Sequence, residues 1–234
     1  MPVEEKSKVV GIKMMLIPLA GEALPQAYYL GKYEVTQKEL ETVMGYNPSR
    51  FKKGHKAVEG MDKSSFPVEQ VSWYDSVEFC NKLSEREGLK PYYELTVTKR
   101  IAKHIDEAEV KILGGTGYHL PTGPEWEHAC RAGSKTKYHF GDNDEDLLEY
   151  TWFNKNSGDR THAVGGKKPN AFGFYDMHGN VEEWNGEMLT NTVTGAPYRF
   201  VRGGAFSVGA VANPGTTNPA TRNVRFGLRL ARTP

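Results

Sequence analysis

Three short stretches constrain this chain more than anything else in it: Thr36-Gln37-Lys38-Glu39, Ser72-Trp73-Tyr74-Asp75 and Thr122-Gly123-Pro124-Glu125. Each sets a hydroxyl residue three positions ahead of a carboxylate. The hydroxyl can accept the N–H of the third helical residue while the carboxylate reaches back to the cap, which is how a helix start closes. A brief amphipathic run follows each. Leu40, Val43 and Met44 share a face ahead of Gly45; Trp73, Val77, Cys80 and Leu83 share one ahead of Gly88; Trp126, Ala129 and Cys130 point inward ahead of Gly133. Pro124 fits a first helical turn, where its missing N–H would have had no partner. These helices are short and widely separated.

The remainder reads as short strands and loops. Met14-Met15-Leu16-Ile17-Pro18 and Ala27-Tyr28-Tyr29-Leu30 predict a hairpin across a Gly/Pro-containing stretch. Residues 90–121 predict strands around a polar stretch, 99–109, that is either a hairpin tip or a small helix. After Asp142 no long helix is expected, only short strands at 160–164, 172–176, 198–202 and 226–231 between Gly/Asn/Pro-rich loops. The fold class is α+β, with one domain expected over residues 1–234 and a long irregular second half. Irregular chain of that length is usually functional.

Charge and cysteine usage exclude several function classes. Thirty Lys+Arg against 29 Asp+Glu leave a net charge of +1, which gives no electrostatic footprint for nucleic acid. No run of about 18 apolar residues exists to make a transmembrane helix, and Met1-Pro2-Val3-Glu4-Glu5-Lys6 is not a signal peptide. Cys80 and Cys130 are too few for a disulfide framework. Both lie in later helical turns on the apolar stripe, so they read as buried small hydrophobes rather than reactive thiols. His128 and Cys130 are two apart on a helix and do not face each other. His119 and His178 read as hydrogen-bonding turn residues, so no metal site is expected from histidine.

Six motifs then occur in order: "GKYEVTQKELETVMGYNPSRF", "FPVEQVSWYDSVEFCNKL", "GYHLPTGPEWEHACRAG", "KPNAFGFYDMHGNVEEW", "YRFVRGGAF" and "FGLRLAR". From about Lys13 to Arg232 the chain resembles the formylglycine-generating enzyme (sulfatase-modifying factor) family. The resemblance implies a C-type-lectin-like fold: a small twisted antiparallel sheet, flanking short helices and much irregular loop. It implies core roles for Trp126 and Trp184, and left-handed backbone at Gly179 and Asn180. Some relatives place calcium near the Gly-Asn-Val turn, where Asn180, the Val181 carbonyl and Glu183 offer hard oxygen ligands; the alternative is a solvated acidic turn.

The family's enzymes act through a pair of copper-holding cysteines a few residues after Arg-Gly-Gly. Carried onto this chain, those positions fall at Val208 and Asn213, and neither supplies sulfur. Catalytic residues, metal and cofactor are therefore all expected to be absent. The alternatives are an oxidase with a divergent site and a binding module of fixed specificity.

Between Ala205 and Arg225 there is no Lys, Glu, Gln, Met, Trp, Asp, Tyr, His or Cys, although the rest of the chain contains all of them. One subset of the family is similar to the variable proteins of diversity-generating retroelements, where a reverse transcriptase randomises template adenines, often in AAC codons. Changing the first two bases while keeping the final C cannot encode Lys, Glu, Gln, Met or Trp. Every residue of 205–225 can be written with a codon ending in C. The resemblance thus implies a diversifiable binding surface on a rigid scaffold, framed by Arg202-Gly203-Gly204 and Gly227-Leu228-Arg229. The ligand contacts expected on it are Ser207, Val208, Gly209, Val211 and Asn213 on the first half. Thr216, Thr217, Asn218, Asn223 and Val224 follow on the second. Arg202, Arg222 and Arg229 are expected to be fixed scaffold, and Phe206 is either core or contact. The partner is an unknown ligand, a protein or other surface macromolecule, and by analogy the full-length protein is displayed at the cell surface.

Overall fold

All three helix starts close as their sequences require in the computed structural model, which describes residues 3–18, 24, 26–208 and 214–234. Helix α1 (Gln37–Met44), α2 (Trp73–Arg86) and α3 (Gly123–Arg131) carry reciprocal capping boxes from Thr36/Glu39, Ser72/Asp75 and Thr122/Glu125. Gly45 ends α1 in the left-handed conformation at φ 75°. Ala132, not Gly133, takes the left-handed cap of α3, at φ 48°. A single turn, α4 (Leu147–Tyr150), is the one α-helix described beyond Asp142.

Two small sheets and a hairpin complete the fold. In the first sheet β1 (Val3–Lys6), β2 (Lys13–Ile17) and β3 (Tyr28–Gly31) run antiparallel, and the chain's last strand, β12 (Ala231–Arg232), joins β3 to β6 (Tyr118–His119). Strands β4 (Tyr93–Ile101) and β5 (His104–Ile112) form a separate hairpin. The polar stretch 99–109 is therefore a hairpin end, not a helix. The second sheet is built from β7 (Glu182–Trp184), β8 (Leu189–Thr190), β9 (Pro197–Arg202), β10 (Gly215–Thr217) and β11 (Phe226–Gly227), in the order β10-β9-β7-β11 with β8 also on β9. Among the described strands, β7 and β11 alone pair in parallel.

Two expected strands are absent. Residues 160–164 and 172–176 follow irregular paths because side chains take the backbone groups that a neighbouring strand would have bonded. Asn170 Oδ1 accepts from the N–H groups of Phe172 and Phe174, at 3.0 and 3.1 Å, and Asn180 Oδ1 accepts from that of His162 at 3.0 Å. His119 is the last residue of β6, with Nδ1 3.4 Å from the Gly117 carbonyl and its ring stacked on Tyr92, centroids 4.1 Å apart.

The main core gathers α1 and α2 against the sheets through Trp73, Phe79, Tyr93, Tyr118, Trp184 and Leu228. The indole N–H groups of Trp73 and Trp184 donate to the carbonyls of Asn185 and Val71, so neither ring is buried with an orphan donor. Cys80 is buried among these apolar side chains, and burial pushes its thiol well above the ordinary range.

Cys130 lies in a second cluster, 3.7 Å from His178 Nε2. His178 stacks on His139 with ring centroids 5.2 Å apart. Burial lowers His178 to about 3 and His139 to about 4. A buried imidazole that stays neutral when folded takes a proton first in the unfolded chain. Its stabilising contribution is thus complete above pH 6.5 and declines as pH falls toward 3. Thermal melts from pH 7 to 4 should show a shallower acid slope for His178→Gln than for the parent protein; identical slopes would remove His178 from the account.

Candidate ligand-binding face

The segment 205–225 is anchored at its start by the framework, not left free. Gly203 takes φ 94°, and its carbonyl accepts from Gly179 N–H at 2.6 Å. Gly179 itself has φ 96°, and a Cβ there would stand 2.3 Å from the Trp152 carbonyl, so only glycine fits. Asn180 follows at φ 60°, and its carbonyl accepts from Phe206 N–H at 2.9 Å. Ser157 Oγ donates to the Phe206 carbonyl at 2.8 Å. The Phe206 ring is 2% exposed and meets Phe51 edge-on, centroids 5.3 Å apart, in a cluster with Val58 and Phe66. Phe206 is a core residue.

The arginines that frame the segment are fixed as well. Arg229 is fully buried. It holds both Glu183 oxygens through Nε and Nη2, at 2.7–3.1 Å, and donates to the carbonyls of Gly31 and Tyr175. Trp126 Nε1 donates to Glu183 Oε2 at 2.6 Å. Beside this pair lie two more buried carboxyls. Burial, with Asp176 and Glu183 nearby, raises Glu34 well above its usual range, and burial raises Asp176 to about 6.

Asn180 Nδ2 and Val181 N–H donate to Glu34 at 2.7 and 3.0 Å. The turn expected to be either a calcium site or a solvated acidic loop is instead a buried ion-paired network. Glu183 is committed to Arg229 and Trp126, and no group of three metal-holding side chains occurs among the described residues. Arg222 Nε donates to Asp75 Oδ2 at 3.0 Å, and the same carboxylate caps α2 and accepts Ile105 N–H at 2.9 Å. Arg202 pairs with Glu127 at 3.1 Å.

The expected contact residues fall into two groups. Val208 and Val224 pack against the Phe51/Phe206 cluster, and Ser207 and Asn223 are half-buried. Asn223 also works for the fold: its carbonyl accepts from Gln70 N–H and its side chain from Arg225 N–H, each at 3.0 Å. These four are half-buried rather than fully exposed, because a loop anchored by Phe206 and Arg222 draws its ends inward. Thr216 and Asn218 are exposed and Thr217 is half-buried. Gly209, Val211 and Asn213 lie outside the described residues.

Thr216, Thr217 and Asn218 line an open groove of about 580 Å³. Its floor and far wall come from other residues: Tyr198 and Phe200 on β9, and Thr190, Asn191, Thr192, Thr194, Ala196 and Pro197 of the β8–β9 hairpin. A signal for the aromatic pair was present in the alternation of Tyr198-Arg199-Phe200-Val201. Arg199 and Val201 are buried, Arg199 with its guanidinium 4.3 Å from the Trp73 ring centre, which leaves Tyr198 and Phe200 on the opposite face.

Comparison with known proteins agrees with this architecture. The family model described as a sulfatase-modifying factor enzyme 1-like domain matches residues 6–234. The chaperone protein LppX of Paenibacillus barcinonensis is 35% identical over 235 residues, covering 88% of this chain and 80% of that one. The structure of Treponema denticola variable protein 1 superposes with a TM-score of 0.82 at 32% identity, covering 100% of both chains. The formylglycine-generating enzyme of Mycobacterium tuberculosis is 39% identical over only 79 residues, 29% of this chain and 26% of that one. The α+β, C-type-lectin-like fold expected from the sequence is the fold observed.

Proposed function

Because the chain belongs to the sulfatase-modifying factor enzyme 1-like family, we propose that it uses that scaffold without the family's chemistry, as a ligand-binding receptor whose segment 205–225 is diversified by a retroelement. The observation that carries this is the division within the segment. Phe206 and Arg222 are locked into the framework, while Thr216, Thr217 and Asn218 line an open groove. A rigid frame with replaceable loop residues is how binding specificity changes without loss of fold. The full-length likeness to a protein named a variable protein supports the same reading.

The family's copper does not fit these residues. Val208 offers no ligand atom and packs its side chain on the Phe51/Phe206 cluster. Burial raises both cysteine thiols well above the ordinary range, in separate apolar clusters. The relative named a chaperone protein favours a second reading, a module of fixed specificity that binds another protein. Display at the cell surface belongs to the receptor reading; no described helix is long and apolar enough to cross a membrane.

The deciding experiment is to sequence the locus in several isolates. The receptor reading expects a near-copy of the DNA for residues 205–225, differing almost only at adenines, beside a reverse-transcriptase gene. A locus without that repeat leaves the fixed-specificity reading. Oxygen consumption with a cysteine-containing peptide and copper would overturn both.

The diversified positions should also be silent for folding. Substitutions at Thr216 are expected to stay within about 0.5 kcal/mol, or about 2 °C in a thermal melt, and those at Asn218 to cost slightly more, because its Oδ1 accepts from Ala220 N–H at 2.8 Å.

A further inference from the structure

We infer that the groove between β8, β9 and β10 is a site for an uncharged oligosaccharide, with a fixed aromatic floor that sets the ligand class and replaceable walls that choose among its members. This rests on the receptor reading for the role of the walls; the floor stands independently of it.

The floor is Tyr198 and Phe200, ring centroids 6.4 Å apart and nearly perpendicular. Among the described residues, neither ring belongs to any of the four apolar clusters. Both are half-buried and turned into the groove, while Arg199 and Val201 between them are packed inside. Aromatic carbon held out of the core, on a strand whose register is fixed on two sides by β7 and β10, is surface available to a ligand. A pyranose ring presents an apolar C–H face that an aromatic ring covers well.

The walls match the rest of such a ligand. Thr190 and Thr216 present hydroxyls, each able to donate and to accept, and Asn218 presents its amide NH2 while its Oδ1 holds Ala220 N–H at 2.8 Å; Thr217 lines the groove with its hydroxyl bonded to Thr221 at 3.2 Å. No charged side chain lines the groove among the described residues. A charged ligand would lose its hydration there without gaining a counter-charge, so the lining selects against it. At about 580 Å³ the groove lies within the ~300–1,000 Å³ of sites that enclose a small ligand. Tyr198 and Phe200 lie outside 205–225, so diversification leaves the floor constant and alters only the Thr216–Asn218 side.

The test is a glycan microarray carrying neutral, sialylated and sulfated oligosaccharides, probed with the intact chain. The strongest neutral binder is then titrated against Tyr198→Ala, Phe200→Ala and the exposed-site variant Thr216→Glu, with thermal melts confirming that each folds. Binding confined to neutral glycans, weakened at least tenfold by either aromatic variant and by T216E, is the expected result. A blank array, binding only to the anionic glycans, or affinity unchanged in both Y198A and F200A would overturn the assignment. Should a displayed peptide library be captured through Tyr198 and Phe200 while the array is blank, the groove is a peptide site and the sugar assignment is wrong. A blank array beside an adenine-diversified locus overturns the sugar and leaves the receptor. Neutral-glycan binding at a locus with no repeat keeps the sugar site and removes the diversification.

Discussion

Replacing Arg229 with methionine is expected to destabilise the protein by about 3–5 kcal/mol, the cost of leaving a buried charge without its partner. The melting temperature should fall by on the order of 10 °C for a chain of this size. The guanidinium holds both oxygens of Glu183 and two backbone carbonyls, and both side chains of the pair are 0% exposed. Without it, Glu183 would keep only Trp126 as a side-chain donor. Lysine should not rescue, because a point charge with one ammonium cannot reproduce the planar two-oxygen contact. Removing both charges, as Arg229→Met with Glu183→Leu, should recover part of the loss, since a buried pair is worth little against well-packed apolar groups. Urea denaturation of the three variants measures this; a stable R229M would mean that water reaches the network.

The second large effect lies inside the segment proposed to vary. Phe206→Ala should cost about 3–5 kcal/mol, as for other large aromatic truncations in a core. Its ring fills the space against Phe51, Val58 and Phe66, and its backbone is bonded at both the amide and the carbonyl. Phe206→Leu should cost less, because much of the volume is kept. The contrast with Thr216 and Asn218 is the useful measurement. If F206A unfolds no more readily than an alanine variant of Thr216, Phe206 is a contact residue and the framework ends earlier than Gly204. If ligand affinity instead follows 216–218 while stability follows 206, the segment is part frame and part surface.

Phe206 also shows where sequence reading reached its limit. It sits within a stretch whose composition looks uniform, and composition does not distinguish a ring that faces Phe51 from one that faces solvent. Asn223 and Val224 look as replaceable as Thr216, yet a side-chain cap on Arg225 N–H and an apolar contact hold them to the body of the protein. The expected strands at 160–164 and 172–176 failed for a related reason. Asn170 and Asn180 satisfy that backbone from positions that a search for alternating residues does not weigh.

What the sequence determined by itself was local. A hydroxyl three residues before a carboxylate closes a helix start whatever surrounds it, and all three starts formed. Alternation along 198–201 divides inside from outside because strand geometry has a period of two. The lack of sulfur at Val208 and Asn213 needs no coordinates. Tertiary structure decided the rest. Arg229 finds Glu183 across 46 residues, and Arg222 finds Asp75 across 147. The groove exists only because β8 and β10 both register on β9. Those pairings depend on which distant segments meet, and the free energy of a meeting lies in burial and charge shared between partners, which neither partner's sequence carries alone.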